Sequence, residues 1–250
     1  MQKWKRSILG VSGRALAAAV LATAAPALAA AKPAIPPGAI RHVMVINLEN
    51  ESYSATFGPG SPATYLNGTL LPQGELIENY FGTSHVSLGN YIAMVSGQEP
   101  TVSTNDDCLN IASLTSPPVV GSYNNITPGT DAADQSSFPG QVVGDGCVYP
   151  APTSLTIGAE TIGDQLDALK GPKNGKLRWR EYAEDMGNVP ARDFGVTDPL
   201  GGTDCAHPAI GGDDLTNTAE AADQYADRHT PFVYFHSIID NPARCNSHVV

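Results

Sequence analysis

The chain has 250 residues, 42% of them hydrophobic, and a formal net charge of −11. Such a chain is long enough for one large α/β domain or two small ones, and its composition is ordinary for a globular protein. The negative charge excludes nucleic acid and anionic membranes as expected partners, and an anionic substrate would need a local cation.

Residues 1–29 have the pattern of a secretory signal peptide. Four basic residues accompany an apolar run, ALAAAVLATAAPALA, that closes on Ala27-Leu28-Ala29. A membrane anchor is the alternative, but the run is shorter than the ~20 apolar residues of a spanning helix. Removing this segment takes away four positive charges, so the formal net charge of −11 becomes −15. We therefore expect a secreted or periplasmic protein with no stable membrane span, in which residues 30–39 form a linker to a domain at 40–250.

The chain contains four cysteines, an even number that favours two disulfides in an exported protein. Their order suggests the pairs Cys108–Cys147 and Cys205–Cys245. Zinc ligation is the alternative, but the sequence has no closely spaced pair of cysteines, and an oxidising compartment disfavours it.

The first predicted element is a strand over His42–Leu48, HVMVINL. Its unbroken apolar character is typical of a strand covered on both faces, as in a parallel sheet. Glu49 and Asn50 follow at its carboxyl end, where ligands of such sheets gather. SPATYLNGTL then predicts a short helix, and ELIENYF a second strand.

The segment LGNYIAMVSG predicts a helix that follows Ser87. Leu88, Ile92 and Val95 form its apolar stripe, and Gly97 ends it. Residues 101–156 show little periodicity, which indicates a surface region pinned by the first disulfide.

Later segments continue the alternation of helices and strands. TIGDQLDALKG predicts a helix through Ile162, Leu166 and Leu169, DDLTNTAEAADQYADRH a polar helix, and PFVYFHSIID a buried strand. Alternating strands and helices indicate an α/β layered sandwich.

Ser87 is a candidate nucleophile because the first turn of a helix stabilises an alkoxide or a bound phosphate. Asn90 lies in the same turn, where its amide could donate to an anion beside Ser87. The alternative is that Ser87 is only a helix cap, a position that serine favours. A nucleophilic hydroxyl also needs a base or a metal ion, and His85 is the nearest base in the sequence. Glu49 and Asn50 are hard oxygen ligands for a divalent cation, unless they form only a turn.

Two segments, HVMVINLENESYSATFG and YLNGTLLPQGELIENYFGTSHVSLGNYIAMVSGQ, resemble a phosphoesterase family. The family includes secreted acid phosphatases and phospholipase C-like enzymes and is similar to the alkaline phosphatase superfamily. The resemblance rests on the Glu-Asn-x-Ser-Tyr and His-x-Ser-x-x-Asn-Tyr elements and continues more loosely through WREYAEDMGN, CAHP and RHTPFVYFHSI. It implies an α/β/α sandwich with a largely parallel central sheet, like that of alkaline phosphatase.

The resemblance also implies a role for each candidate residue. Glu49 and Asn50 would bind a divalent metal ion, with zinc the expected ion. Ser87 would be the nucleophile, Asn90 would contact the phosphoryl group, and His85 would assist binding or proton transfer.

The sequence departs from the family pattern at two points. Gly89 stands where the family usually has proline. The later acidic and histidine ligands of the family are not found before the chain stops at CNSHVV, so we expect the domain to be incomplete at its C-terminus. His207, His229, His236 and Asp240 have no motif support, although one of the histidines that flank PFVYF could reach the phosphate pocket.

The sequence thus predicts an exported, metal-dependent hydrolase that cleaves phosphate esters through a serine nucleophile. The alternative is a catalytically silent exported protein that binds phosphate esters without a complete metal site. The expected substrate is a small-molecule or lipid phosphate ester. The sequence leaves open which ester, whether it is a monoester or a diester, and the oligomeric state.

Overall fold

The structure, a computed structural model, describes residues 39–48, 50–109, 121–129, 140–169, 171, 175, 177–193, 204–217 and 220–250. The chain divides into two compact units, Met1–Glu49 and Asn50–Val250. The predicted signal peptide and residues 30–38 of the predicted linker lie outside the described residues.

Residues 39–48 of the first unit form neither a helix nor a strand. The strand predicted over HVMVINL is therefore not seen there. A strand needs a hydrogen-bonded partner, and the described part of this unit offers no second segment to supply one. The apolar side chains of the segment are exposed: Ile40, Val43, Met44, Val45, Ile46 and Leu48.

The second unit combines short helices and strands. Its described α-helices are α1 (Tyr53–Phe57), α2 (Ser87–Ser96), α3 (Ile162–Ala168), α4 (Pro190–Asp193), α5 (His236–Ile239) and α6 (Pro242–His248). Its described strands are β1 (Gly121–Ser122), β2 (Thr127–Pro128), β3 (Gly144–Asp145) and β4 (Asp213–Asp214). Tighter or wider turns lie at Leu66–Leu70 (π), and at Leu71–Gln73, Thr104–Asp106, Asp227–His229 and Pro231–Tyr234 (3-10).

The strands form two small antiparallel sheets. β1 pairs with β4, with Gly121 opposite Asp214, and β2 pairs with β3, with Thr127 opposite Asp145. Parallel pairing occurs in the described residues only as single bridges, for example between Tyr149 and Phe235. ELIENYF forms no strand. The layered sandwich with a parallel central sheet stays a prediction.

Helix α2 forms where the sequence predicts it. Leu88 and Ile92 are fully buried, and Gly97 ends the helix with a left-handed backbone at φ 70°, a conformation that glycine adopts without strain. The helix packs against the 3-10 turns Asp227–His229 and Pro231–Tyr234.

The segment PFVYFHSIID is buried as predicted, but it is not a strand. Pro231 begins a 3-10 turn, since its fixed φ suits the first helical position, and α5 follows from His236. The backbone of this segment is held by Tyr149, which donates to the carbonyl of Tyr234 at 2.8 Å and accepts from His236 at 3.0 Å.

The polar helix predicted for residues 213–229 is also not formed in the described part of that segment. Asp214 accepts a hydrogen bond from the backbone of Thr216 at 2.7 Å, and Asp223 accepts one from Tyr225 at 3.1 Å. Such turns give the backbone an alternative to helical hydrogen bonds. They are buried, and Asp223 is paired with the guanidinium of Arg192 at 2.9 Å.

Helix α3 buries a different face from the predicted one. Thr161 and Asp164 cap its start reciprocally. Ile162 and Leu169 are largely exposed, and the buried residue is Gly163, against the ring of Trp179.

The four cysteines form the two predicted disulfides. The Cα atoms are 6.0 Å apart in Cys108–Cys147 and 5.5 Å apart in Cys205–Cys245, both within the range that a disulfide can bridge. No helix in the described parts of the chain has the length and apolar content needed to cross a membrane.

Candidate active site

Ser87 is the first residue of helix α2 and not its cap. The cap position is taken by Val86, whose backbone is extended at φ −119° and ψ 175° and whose side chain makes no capping hydrogen bond. The hydroxyl of Ser87 therefore does not serve the capping role that is the alternative explanation for a serine at this place.

The Ser87 hydroxyl lies against a histidine from a distant part of the sequence. Its Oγ atom is 3.0 Å from Nε2 of His229, across a separation of 142 residues. His229 ends the 3-10 turn Asp227–His229, which packs against the start of α2. The His229 ring also faces the ring of Tyr91, with centroids 5.4 Å apart. A histidine within hydrogen-bond reach of a serine hydroxyl is one of the groups that can act as its general base.

Asp107 contacts the residue after Ser87 and the residue before His229. Its Oδ1 atom accepts a hydrogen bond from the backbone N–H of Leu88 at 2.7 Å. Its Oδ2 atom is 3.8 Å from Nε of Arg228. A carboxylate at the start of a helix is favoured by the helix dipole.

The turn that carries His229 rests on a buried polar network. Asp227 is fully buried, and its backbone N–H donates to the hydroxyl of Thr216 at 3.0 Å. That hydroxyl lies 2.7 Å from Oδ1 of Asp214 and 3.2 Å from Oδ1 of Asp227. Burial raises the pKa of Asp227 well above its usual range, and the negative charge of Asp214 raises it further.

Arg228 is fixed beside the same network. Its Nη1 atom donates to the carbonyl of Asn217 at 3.2 Å, and its side chain is 19% exposed. The sequence therefore places a cation next to His229, in a chain that is otherwise strongly acidic.

His85, which is expected to assist binding or proton transfer, is exposed. It is His229, and not His85, that lies against the Ser87 hydroxyl. The role of His85 in binding or proton transfer stays a prediction.

Asn90 shapes the turn that precedes the helix. Its Oδ1 atom accepts from the backbone N–H groups of Thr83 at 2.7 Å and Ser84 at 3.1 Å, and its Nδ2 atom donates to the carbonyls of Ser84 and Val86 at 3.1 and 2.6 Å. Both amide hydrogens are thus given to the backbone. A contact from Asn90 to a phosphoryl group stays a prediction.

The predicted metal ligands are only partly described. Glu49 lies outside the described residues, and Asn50 is exposed. The side-chain oxygen of Asn50 is a hard donor that suits a divalent cation, but a single donor does not make a site. Among the described residues, no group of three or more His, Cys, Asp or Glu side chains could hold a metal ion. A zinc site at Glu49 and Asn50 stays a prediction.

The other histidines and Asp240 have contacts of their own. His236 has Nδ1 at 2.8 Å from Oδ1 of Asp240 and Nε2 at 2.6 Å from Oδ1 of Asn125. His207 lies with its ring stacked on Tyr123 at a centroid distance of 5.7 Å. Of the two histidines that flank PFVYF, His229 is therefore the one that reaches Ser87.

Gly89 is required by the packing at the start of α2. A Cβ atom at this position would lie 2.7 Å from Cβ of Ser84 and 2.9 Å from Cγ of Pro100. The departure from the proline of the family pattern therefore has a local steric reason in this chain.

Two residues of the site, Asp107 and Arg228, carry no motif that would have singled them out. The one available signal is that Arg228 directly precedes His229. No protein-family model, curated protein or solved structure matches this chain. The resemblance to phosphoesterases therefore rests on the short motifs around Asn50 and Ser87.

Proposed function

We propose that the protein is an exported hydrolase of phosphate esters, with Ser87 as its nucleophile and His229 as its general base. The observation that carries the proposal is the 3.0 Å distance between Ser87 Oγ and His229 Nε2. It supplies the activating group that a serine hydroxyl needs, and it does so at a serine that the sequence motif had already singled out.

Ser87 and His229 together can carry out both steps of phosphate ester hydrolysis, the formation of a phosphoserine and its hydrolysis. The Ser87 hydroxyl gives its proton to Nε2 of His229 as Oγ bonds to phosphorus, and the bond from phosphorus to the ester oxygen breaks. The ester oxygen leaves from the face of phosphorus opposite Ser87 and takes a proton from solvent, while the His229 imidazolium releases its proton to solvent. A water molecule next attacks the phosphoserine while His229 takes its proton, and phosphate leaves as Ser87 regains a proton.

The charge around Ser87 supports an anionic substrate. The positive end of the α2 dipole lies at Ser87, and Arg228, the residue before His229, faces the Asp107 carboxylate at 3.8 Å. In a chain with a formal charge of −11, the helix dipole is the local positive charge that favours a phosphate ester at Ser87.

We retain a divalent metal ion as part of the proposal, held by Glu49 and Asn50. Such an ion would supply positive charge that stabilises an alkoxide and the transferred phosphoryl group. The Ser87–His229 chemistry described above is written without it, so the two parts of the proposal can be tested separately.

The compartment is the third part of the proposal. The two disulfides fit an extracellular or periplasmic protein. We propose that residues 1–29 direct the chain there.

The experiment measures hydrolysis of p-nitrophenyl phosphate and bis-p-nitrophenyl phosphate, with added Mg²⁺, Mn²⁺ or Zn²⁺ and with a chelator. We expect turnover that is lost in Ser87→Ala. The matched control is Ser96→Ala, at the other end of the same helix, where the hydroxyl donates to the carbonyl of Ile92. Rates equal in Ser87→Ala and wild type would refute the nucleophile, and binding of phosphate esters without turnover would favour the silent binding protein.

A further inference from the structure

The distance between Ser87 and His229 depends on two segments that are far apart in the sequence. Ser87 is set by the first turn of α2, and His229 by the turn Asp227–His229. A small change in how these two segments sit against each other would change the hydrogen bond, and misplacement by about 1 Å can cost a factor of about 100 in rate.

The side chain of Asp107 joins these segments directly. One carboxylate oxygen, Oδ1, accepts a hydrogen bond at 2.7 Å from the backbone N–H of Leu88, the residue after Ser87. The other oxygen faces Nε of Arg228, the residue before His229, at 3.8 Å. The carboxylate is mostly shielded, with the side chain 13% exposed, so its charge is screened less than that of a surface residue.

The backbone at Asp107 is itself fixed. Asp107 and Cys108 both have a left-handed backbone, at φ 55° and 57°, and Cys108 is bonded to Cys147. Aspartate and asparagine tolerate this conformation better than most residues. The short link to the disulfide restricts where the carboxylate can move.

We propose that Asp107 is a positioning residue that holds Ser87 and His229 together, through the first turn of α2 on one side and through Arg228 on the other. This inference rests on Ser87 acting as the activated nucleophile of the proposed function. In this scheme Asp107 acts through Leu88 and Arg228.

The test measures the reactivity of the Ser87 hydroxyl directly. A fluorophosphonate probe reacts with an activated serine: Oγ bonds to phosphorus, fluoride leaves, and the hydroxyl proton passes to the base. Mass spectrometry measures labelling at Ser87 over time at several probe concentrations, which separates the probe's binding constant from its maximal rate of reaction. Turnover of p-nitrophenyl phosphate is measured in parallel, to give kcat and KM.

The informative variant is Asp107→Asn. It keeps an oxygen acceptor for the Leu88 N–H and tolerates the left-handed backbone, but it removes the charge that faces Arg228. The matched control is Asp106→Asn, the same change of charge one residue away. Asp107→Ala removes the contacts to both Leu88 and Arg228. Thermal unfolding gives the folded fraction of each variant, and each measured rate is divided by that fraction.

We expect the maximal labelling rate to fall about tenfold in Asp107→Asn and further in Asp107→Ala, with the probe's binding constant and KM within about twofold. Asp106→Asn should match the wild type. Equal maximal labelling rates in Asp107→Asn, Asp107→Ala and Asp106→Asn would overturn the inference, as would a wild-type Ser87 that does not react.

The same experiment distinguishes a failure of this inference from a failure of the proposed function. If wild-type Ser87 is labelled but no phosphate ester is hydrolysed, the proposed substrate class fails while the Asp107 variants still report on positioning. If esters are hydrolysed in a Ser87-dependent way and the Asp107 variants react normally, the function stands and the positioning role is wrong.

Discussion

Oγ of Ser87 and Nε2 of His229 lie 3.0 Å apart although 142 residues separate them in the sequence. Replacing His229 by glutamine keeps a polar side chain but removes the proton acceptor. We expect kcat/KM for phosphate ester hydrolysis to fall by about 10²–10⁴-fold, the usual worth of a general base.

The matched control for this change is His85→Gln, at an exposed histidine two residues before the nucleophile. Its kcat/KM should stay within about twofold of the wild type, since the hydroxyl of Ser87 is paired with His229 and a surface change of this kind is otherwise mild. The opposite ranking of the two variants would assign the role of base to His85 and not to His229.

The two disulfides provide a second test because they are closely matched. They close loops of 39 and 40 residues, so the chain-entropy model assigns each about 4 kcal/mol of stability. Cys108 and Cys205 even share a left-handed backbone at φ 57°. Only Cys108 adjoins Asp107.

We therefore expect the double variants Cys108→Ser/Cys147→Ser and Cys205→Ser/Cys245→Ser to lose similar free energies of unfolding, measured by urea denaturation. At a temperature where both are folded, kcat should fall several-fold in the first and stay near the wild-type value in the second. A larger loss of kcat in the second variant would mean that the first disulfide does not support the site.

The parts of the fold that the sequence predicts well are those set by local pattern. The stripe of Leu88 and Ile92 with a glycine after the last turn predicts α2, because burial at helical spacing and a left-handed cap are both readable from the chain. The order of the cysteines predicts their pairing, since the first cysteine pairs with the second and the third with the fourth.

The predictions that differ from the structure concern segments in which a tertiary contact decides the local conformation. Asp214 and Asp223 could be the polar face of a helix, yet their side chains are buried and bond to the backbone instead. Glycine is a weak helix former, but Gly163 is the residue of α3 that is buried against the ring of Trp179. Periodicity does not reveal that a carboxylate or a glycine will be buried.

The residues of the site divide in the same way, into those that a local pattern identifies and those that only tertiary contacts identify. Ser87 is found from its motif and its place before an apolar stripe. His229 is one of several histidines without a motif, and only the packing of its turn against α2 selects it. Asp107 has no chemical signature at all in the sequence, because its role depends on two contacts made at once.

Gly163 gives a prediction about stability. An added Cβ atom would lie 2.5 Å from Cζ2 of Trp179. That ring cannot move aside easily, because it is stacked on His248 with centroids 4.3 Å apart and packs against Phe232 at 4.6 Å. We expect Gly163→Ala to lower the free energy of unfolding by about 1–3 kcal/mol, the usual cost of overpacking.

The control is Gly68→Ala, since a Cβ atom there would meet nothing within 4 Å. In that turn alanine should be neutral or stabilising by up to about 1 kcal/mol, because glycine loses more backbone entropy on folding. Urea denaturation of both variants measures the difference. A Gly163→Ala variant as stable as Gly68→Ala would show that the ring moves aside at little cost.

Glu181 makes stability depend on pH. Its Oε2 atom is shielded from solvent without a hydrogen-bond partner among the described residues. Burial raises the pKa of this carboxyl to about 8, although it accepts a hydrogen bond from the backbone of Phe232. Because the folded pKa is raised above the usual 4.5, the native state keeps a proton that the unfolded chain has released.

The contribution of Glu181 to stability is therefore greatest below about pH 4.5 and is lost as the pH rises towards 8. At about 1.4 kcal/mol per pKa unit the loss reaches at most roughly 5 kcal/mol. Glu181→Gln is neutral at every pH and has nearly the same shape. We expect its free energy of unfolding to rise relative to the wild type between pH 5 and pH 8, as measured by urea denaturation across that range.

The matched control for this pH series is Glu184→Gln, the same substitution at an exposed side chain three residues on. Its curve of unfolding free energy against pH should run parallel to that of the wild type. Several buried carboxyls contribute to the wild-type curve, Asp227 among them, so the difference between variant and wild type is the quantity that isolates Glu181. A Glu181→Gln curve parallel to the wild-type curve would mean that the Glu181 carboxylate reaches solvent when it ionises.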